Sequence, residues 1–298
     1  MSEGLVIRLA KTDADLETWR EVRLAVLPNE RALSVAEMRA MATDETLHLL
    51  AELDGELAGS GLSDRSSFAY AGLHPRVLPA MRRRGVGTAI LRALADHAMS
   101  RGFNEAGSIM DDAGSLAFAE RFGFGEVDRQ IEQTRTIGME PEPVVPDGVR
   151  VVTVAEHLEL WAAAYEPFAA EAISDMATHL PVVVTREEWE RDWLSWPEAM
   201  FLALDGDEIV GCAGLAYDPD RQDRSEQAFT AVAPRWRRRG LATALKRLSL
   251  RFAAEHGVGE VYTWTQRDNA DMRALNERLG FVYGAESFTV RGPLPLPA

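Results

Sequence analysis

Apolar positions along this 298-residue chain fall into two cycles that follow the same order. In the first, Leu5–Leu9 reads as a short strand and Asp13–Val26 carries apolar residues at helical spacing. A further helix is expected ahead of a hairpin made by Leu47–Leu53 and residues 56–61, turning at Asp54-Gly55. An irregular strand over residues 68–78, a helix over Val86–Ser100, a strand over Glu105–Met110, a helix ending near Phe122 and terminal strands complete the cycle. The second half repeats it, with residues 201–204 and 208–215 as a hairpin around Asp205-Gly206-Asp207. The pattern predicts an α/β module with a mixed sheet, present twice. Between the cycles, residues 138–148 hold three prolines and end in Asp-Gly, which makes a stiff extended connector. The expected domains are therefore 1–138 and 149–298, joined by a linker over 139–148, each long enough to bury a core.

Each cycle also contains the same basic turn. Arg82-Arg83-Arg84-Gly85-Val86-Gly87, followed by Thr88, recurs as Arg237-Arg238-Arg239-Gly240-Leu241-Ala242, followed by Thr243. The shift is 155 residues (237 minus 82), and Pro79 and Pro234 stand three residues ahead of each first arginine. The register returns at Arg121-Phe-Gly-Phe124 and Arg278-Leu-Gly-Phe281, shifted by 157 (281 minus 124). A glycine-bearing turn that opens a helix gathers unpaired backbone N–H groups at the positive helix end, which favours a phosphate or pyrophosphate. The flanking arginines reinforce that preference.

These two turns, R-x-x-G-x-G and R-x-x-G-x-A after a strand and before a helix, resemble the acyl-CoA cradle of the GNAT superfamily of N-acetyltransferases. The second copy follows the family pattern from Thr230 to Phe281, over about 50 residues, through Asn269 and Asn276. The resemblance implies a tandem duplication of the GNAT acyl-CoA N-acyltransferase fold, each copy a mixed, splayed central sheet flanked by helices. Mycothiol-synthase-like and antibiotic acetyltransferases are similar at this architectural level. It further implies acetyl-CoA as donor, held by Arg237, Arg238, Arg239, Gly240, Leu241, Ala242 and Thr243. The counterpart set is Arg82, Arg83, Arg84, Gly85, Val86, Gly87 and Thr88. The main chain of Ala231, Val232 and Ala233 would bind the pantetheine arm and face the strand over residues 261–265. A free N–H there, that of Val232, would stabilise the oxyanion formed when an amine attacks the thioester.

An amine must lose a proton to attack, and a lysine-like amine titrates near 10.4. Glu226 lies 11 residues before Arg237, where some family members carry a glutamate base. In its polar surroundings, Asp223-Arg-Ser-Glu-Gln227, it reads equally as a solvated carboxylate. At the 155-residue shift its counterpart is Ala71, so the first copy has no carboxylate at this point and is expected to have drifted. Many family members place a tyrosine five residues before the last phenylalanine, to protonate the departing thiolate. Here that position holds Asn276 and Ala119, with Tyr262 and Tyr283 as substitutes that sequence leaves unplaced. Asn269 matches a polar contact to the pantetheine region and reads equally as a helix N-cap; its counterpart is Asp112. Trp189, Trp193 and Trp196 fall at i, i+4 and i+7, one helical face suited to core packing. In the GNAT layout the same segment borders the acceptor cleft, making Trp193 an aromatic wall and Asp175 a partner for a cation. In the first copy Pro75 stands where a ladder donor is expected.

Composition narrows the acceptor. The chain has 32 Lys plus Arg against 47 Asp plus Glu, a net charge of −15 that repels nucleic acid and favours a small cationic amine. No signal pattern opens the chain and no apolar run approaches the ~18 residues of a membrane span, so a cytoplasmic protein without membrane partners is expected. Cys212, the single cysteine, sits in an apolar run as a buried strand thiol, and the six histidines lack metal-ligand spacing, so no metal is expected. The expected activity is acetyl-CoA-dependent N-acetylation of a primary amine by direct attack in the second copy. Two other readings stay open: a catalytically silent acyl-CoA-binding or sensing protein, suggested by the missing tyrosines, and activity of both copies on different acceptors. Nothing in the pattern separates a monomer from a homodimer.

Overall fold

The computed structural model describes residues 4–28 and 30–297. The first half runs β1 (Leu5–Leu9), α1 (Asp13–Val26), α2 (Val35–Met41), β2 (Leu47–Leu53), β3 (Glu56–Arg65), β4 (Ala71–Val77), α3 (Val86–Ser100), β5 (Glu105–Met110), α4 (Ala113–Glu120) and β6 (Gly125–Thr136). The second continues with β7 (Val149–Thr153), α5 (Leu158–Ala163), α6 (Ala170–Ser174), α7 (Arg186–Asp192), β8 (Met200–Asp205) and β9 (Glu208–Ala216). It ends with β10 (Arg224–Val232), α8 (Leu241–Glu255), β11 (Glu260–Gln266), α9 (Ala270–Arg278) and β12 (Val282–Pro293). No described helix is long and apolar enough to cross a membrane.

Two compact units result, Met1–Arg129 with Ser287–Ala298, and Gln130–Glu286. In the first, the sheet order is β1-β2-β3-β4-β5, closed by β12, whose residues 288–293 pair with β5. In the second it is β7-β8-β9-β10-β11, closed by β6, whose residues 130–136 pair with β11. Each sheet is mixed, with the parallel pair β4/β5 or β10/β11 among antiparallel neighbours. The contiguous division at 138 and 149 therefore differs from the observed one, because each half lends its last strand to the other's sheet. Alternating residues specify that a strand forms and which face it buries, but not which sheet edge receives it. The connector after β6 stays with the second unit, where Ile137 N–H donates to Gly259 O and Arg135 pairs with the buried Glu140 at 2.6 Å.

One face of each sheet is covered by the long helix. In the first unit Val86, Ile90, Leu94 and Ala98 of α3 pack on Ala71, Leu73 and Ala106. In the second, Leu241 and Leu245 of α8 pack on Phe201, Ala203 and Ala213, while Leu250 and Ala253 meet Leu215 and Val261. The opposite face of the second unit packs around Trp161 and Trp189, which stack at 4.0 Å, each indole N–H reaching the other's carbonyl. Cys212 is fully buried there, and burial pushes its thiol up to about 12, so it is an inert core residue. On α8, Lys246 is only 1% exposed, with Nζ 5.6 Å from the Phe281 ring centre. Burial pushes it down to about 7.

Candidate active site

Two left-handed residues precede each long helix: Arg83 (φ 64°) and Gly85 (φ 85°) before α3, Arg238 (φ 62°) and Gly240 (φ 85°) before α8. Left-handed arginines are uncommon, so their recurrence marks one backbone template used twice. Thr12, Ser34 and Thr185 cap α1, α2 and α7 by capping boxes, but no side chain caps α3 or α8. The first intrahelical bonds run from Ala244 N–H to Gly240 O and from Ala89 N–H to Gly85 O. The amides of residues 240–243, and of 85–88, are the donors that a helix start leaves without an intrahelical acceptor. Arg237 folds back so that its Nε donates to Val232 O at 3.1 Å, and Arg82 does the same to Val77 O at 3.4 Å. An uncapped amide cluster ringed by arginines suits a pyrophosphate.

The strand before each cradle parts from its parallel neighbour. β10 and β11 pair only through Arg224↔Glu260, Ser225↔Val261 and Glu226↔Tyr262, although β10 continues to Val232 and β11 to Gln266. Ala233 N–H donates to Val210 O on β9 at 2.9 Å. Because successive amides along a strand point to opposite sides, the Val232 N–H is directed into the gap. The first unit has the same geometry: β4 and β5 pair only at Ala71↔Ala106 and Gly72↔Gly107, and Leu78 N–H donates to Ala58 O, which turns Val77 N–H toward the gap. Pro75 shares the direction of Val77. Its missing donor therefore faces the gap, and the β3–β4 register runs unbroken through Gly61↔Pro75, so the proline removes no donor from that ladder.

Glu226 occupies the last β10–β11 pair before the gap and is half-buried. Its neighbours Ser225 and Val261 face α8, so Glu226 and Tyr262 face the opposite side. On that face Arg224, 6% exposed, binds Glu132 at 2.7 Å and Glu260 at 2.6 Å and lies 3.9 Å over the Tyr262 ring. Burial opposes the Arg224 charge, but its hydrogen bonds to Glu260 and Glu132 outweigh this and raise it above the ordinary guanidinium range. Glu132 belongs to β6. No sequence signal places it here, since it arrives on the strand lent by the first half.

The pairing of Glu226 with Ala71 needs correction. Gln227 and Thr230 of β10 face Leu215 and Ala213 of β9, so β10 carries one extra residue at a bulge that β4 lacks. Counted from the last parallel pair, the counterpart of Glu226 is Gly72.

The remaining candidates fall at several places. Asp175 is engaged by Arg237 at 2.6 Å, at the cradle. Trp193 follows α7 and packs edge-on against Phe229 at 5.1 Å, within the β10 bulge. Trp196 does not share its face: α7 ends at Asp192, and Trp196 turns to Phe252 of α8 at 5.1 Å. Asn269 caps α9 by accepting from Met272 N–H, as Asp112 caps α4. Asn276 is fully buried; its Nδ2 donates to Gln133 Oε1 at 2.9 Å, while Oδ1 has no hydrogen-bond partner. Tyr262 lies under Arg224, and the Tyr283 hydroxyl donates to Glu277, which raises its pKa.

The chain belongs to the acetyltransferase (GNAT) family, whose model matches residues 12–124 and again residues 159–281. It is a tandem acetyltransferase of that family. It is 29% identical over 277 residues to the mycothiol acetyltransferase of Nocardia farcinica, covering 88% of this chain and 89% of the relative. To that of Mycobacterium marinum it is 27% identical, covering 91% of each. Among solved structures, a GCN5-related N-acetyltransferase from Sphaerobacter thermophilus superposes with a TM-score of 0.75 at 20% identity, covering 100% of this chain and 98% of the other. A tandem GNAT protein from the clavulanic acid biosynthesis pathway gives 0.75 at 18%, covering 99% of both.

Proposed function

We propose that the second unit transfers an acetyl group from acetyl-CoA to a primary amine of a small cationic molecule, with Glu226 as proton acceptor. The observation that carries this reading is the Val232 N–H aimed into the β10–β11 gap that opens after Glu226. The donor's pyrophosphate would sit on the amides of residues 240–243, flanked by Arg237, Arg238 and Arg239. Asp175 would then release Arg237 to the phosphate. The amine nitrogen, deprotonated by Glu226 directly or through water, attacks the thioester carbonyl while Val232 N–H stabilises the oxyanion. The C–N bond forms, the C–S bond breaks, and the thiolate leaves. With Asn276 held by Gln133, water or the attacking nitrogen supplies the thiolate's proton. Trp193 and Phe229 form an aromatic wall for a cationic acceptor.

An acceptor screen that follows thiol release tests the activity, with amines related to the substrate of mycothiol acetyltransferases as natural first members. A silent acyl-CoA sensor would bind the donor and release no thiol with any amine. On a confirmed acceptor, Glu226→Gln is expected to lower turnover by ~10²-fold or more with acetyl-CoA binding nearly intact, since size and polarity are kept and basicity is lost. The pH–rate profile of the variant should retain only the limb that belongs to the amine. Activity within about twofold of wild type across the profile would make Glu226 a surface carboxylate.

A further inference from the structure

The sheet face of the first unit that lies opposite α3 carries a polar cluster at the β4–β5 gap. Gly72 and Gly107 form the last pair before these strands part. A Cβ on Gly72 would stand 2.3 Å from Asp64 Oδ1 and 2.9 Å from His74 Nε2. The position from which Glu226 projects in the second unit is thus covered in the first by a carboxyl and an imidazole. Asp64 Oδ1 and His74 Nε2 lie 4.0 Å apart, and Ser108 Oγ is 3.4 Å from His74 Nδ1. Desolvation, with Arg76 and Arg23 adding to it, pushes His74 down to about 3, so the imidazole stays neutral and serves as a polar neighbour of Asp64. Desolvation also pushes Asp64 up to about 7, against the pull of Arg76.

Farther along the same face stand donors without acceptors. Ser60 is fully buried and pairs with Arg76 across β3 and β4. Ser60 Oγ, Arg76 Nη1 and Arg23 Nη1 are all buried without a hydrogen-bond partner. The Arg76 guanidinium rests 5.1 Å over Trp19, while Arg23 uses its other terminal nitrogen on Glu30 at 3.2 Å. Burial, and next Arg23, lower Arg76 to about 9, so the two cations are near enough to repel. Neighbouring guanidinium groups with unfilled buried donors are the chemistry of an oxyanion pocket, which suits a carboxylate or phosphate.

We propose that the first unit is a second acetyl-acceptor site, in which Asp64 and His74 take the place of Glu226 at the start of the gap that Val77 N–H faces, and Arg23, Arg76 and Ser60 bind the carboxylate or phosphate of an anionic amine. This rests on the reading that the cradle at residues 82–88 also binds acetyl-CoA. The acceptor nitrogen attacks the thioester carbonyl and passes its proton to the Asp64 carboxylate, beside which the neutral His74 stands. The C–N bond forms, the C–S bond breaks, and Asp64 returns the proton to the thiolate.

The test uses the full chain carrying Gly240→Val, which silences the second cradle. Its probes are O-phosphoethanolamine against ethanolamine and β-alanine against propylamine. Thiol release is expected with the anion-bearing member of each pair at a kcat/KM at least about tenfold above the member that lacks the anion, the scale of one charge-assisted contact. Arg76→Ala should erase that preference without altering acetyl-CoA binding, Arg76→Lys should restore part of it, and Asp64→Asn should lower kcat by about tenfold or more. If titration shows acetyl-CoA in the remaining cradle but no thiol is released, or release ignores the anion, this inference alone falls. Loss of all acetyl-CoA binding would overturn the cradle reading as well.

Discussion

Gly240→Val is expected to weaken acetyl-CoA binding to the second unit by about 10³-fold. A Cβ at this position would meet no atom within 4 Å, so crowding inside the protein is not the reason. The reason is conformation: Gly240 sits at φ 85°, and a β-branched residue held there costs on the order of 1–3 kcal/mol. If the turn relaxes to escape the strain, the amides of residues 240–243 no longer converge. Each charge-assisted hydrogen bond lost to a phosphate removes roughly 1.5–3 kcal/mol, and two such losses reach about 10³-fold. Gly240→Ala should do less, about tenfold, since alanine lacks the branched side chain. Calorimetric titration checks both. A folded valine variant with unchanged affinity would remove the cradle from the donor site.

Lys246 should make the protein more stable as pH rises from about 7 to about 10.5, the window between its folded and ordinary values. Over that range the unfolded chain binds a proton that the folded chain does not, so unfolding becomes harder as pH increases. Below about 7 the stabilisation has been lost, because the folded protein must hold a buried ammonium whose recorded contact is the Phe281 ring. At 1.36 kcal/mol per pKa unit the span amounts to on the order of 3–5 kcal/mol, a large share of a domain's stability. Lys246→Met keeps the length and the apolar stem. It should be more stable than wild type near pH 6 by a comparable amount, with the difference shrinking toward pH 10. Chemical denaturation at several pH values measures this, and parallel stability profiles for the two proteins would contradict it.

The duplicated modules were legible because their signals are local. The hairpin turns at Asp54-Gly55 and Gly206, the apolar faces of α3 and α8, and the two arginine-glycine turns each declare themselves within a few residues. What escaped depends on contacts far apart in sequence. A bulge is invisible when strands are counted by a fixed shift, so the sequence aligns Glu226 with Ala71 and not with Gly72, and gives no sign of Asp64 and His74 beside that position. Helical spacing suggested one face for three tryptophans, yet α7 stops at Asp192 and the chain turns before Trp196. Glu132 and Gln133 could not be assigned to the second unit from pattern alone, because their strand carries the same alternation wherever it pairs. Lys246 hid for another reason: a lysine in a helix reads as surface unless its position on the buried side of α8 is known.

The exchange of β6 and β12 makes the two halves obligate complements. A fragment ending at residue 138 would leave β5 with an open edge where β12 belongs, and would carry a spare strand with no sheet to join. Neither half of the gene can therefore be discarded or shuffled into another protein as a self-sufficient piece. A duplicated enzyme ordinarily lets one copy decay until it is deleted. Here deletion of either copy, whatever chemistry it retains, would leave the other copy's sheet unfinished.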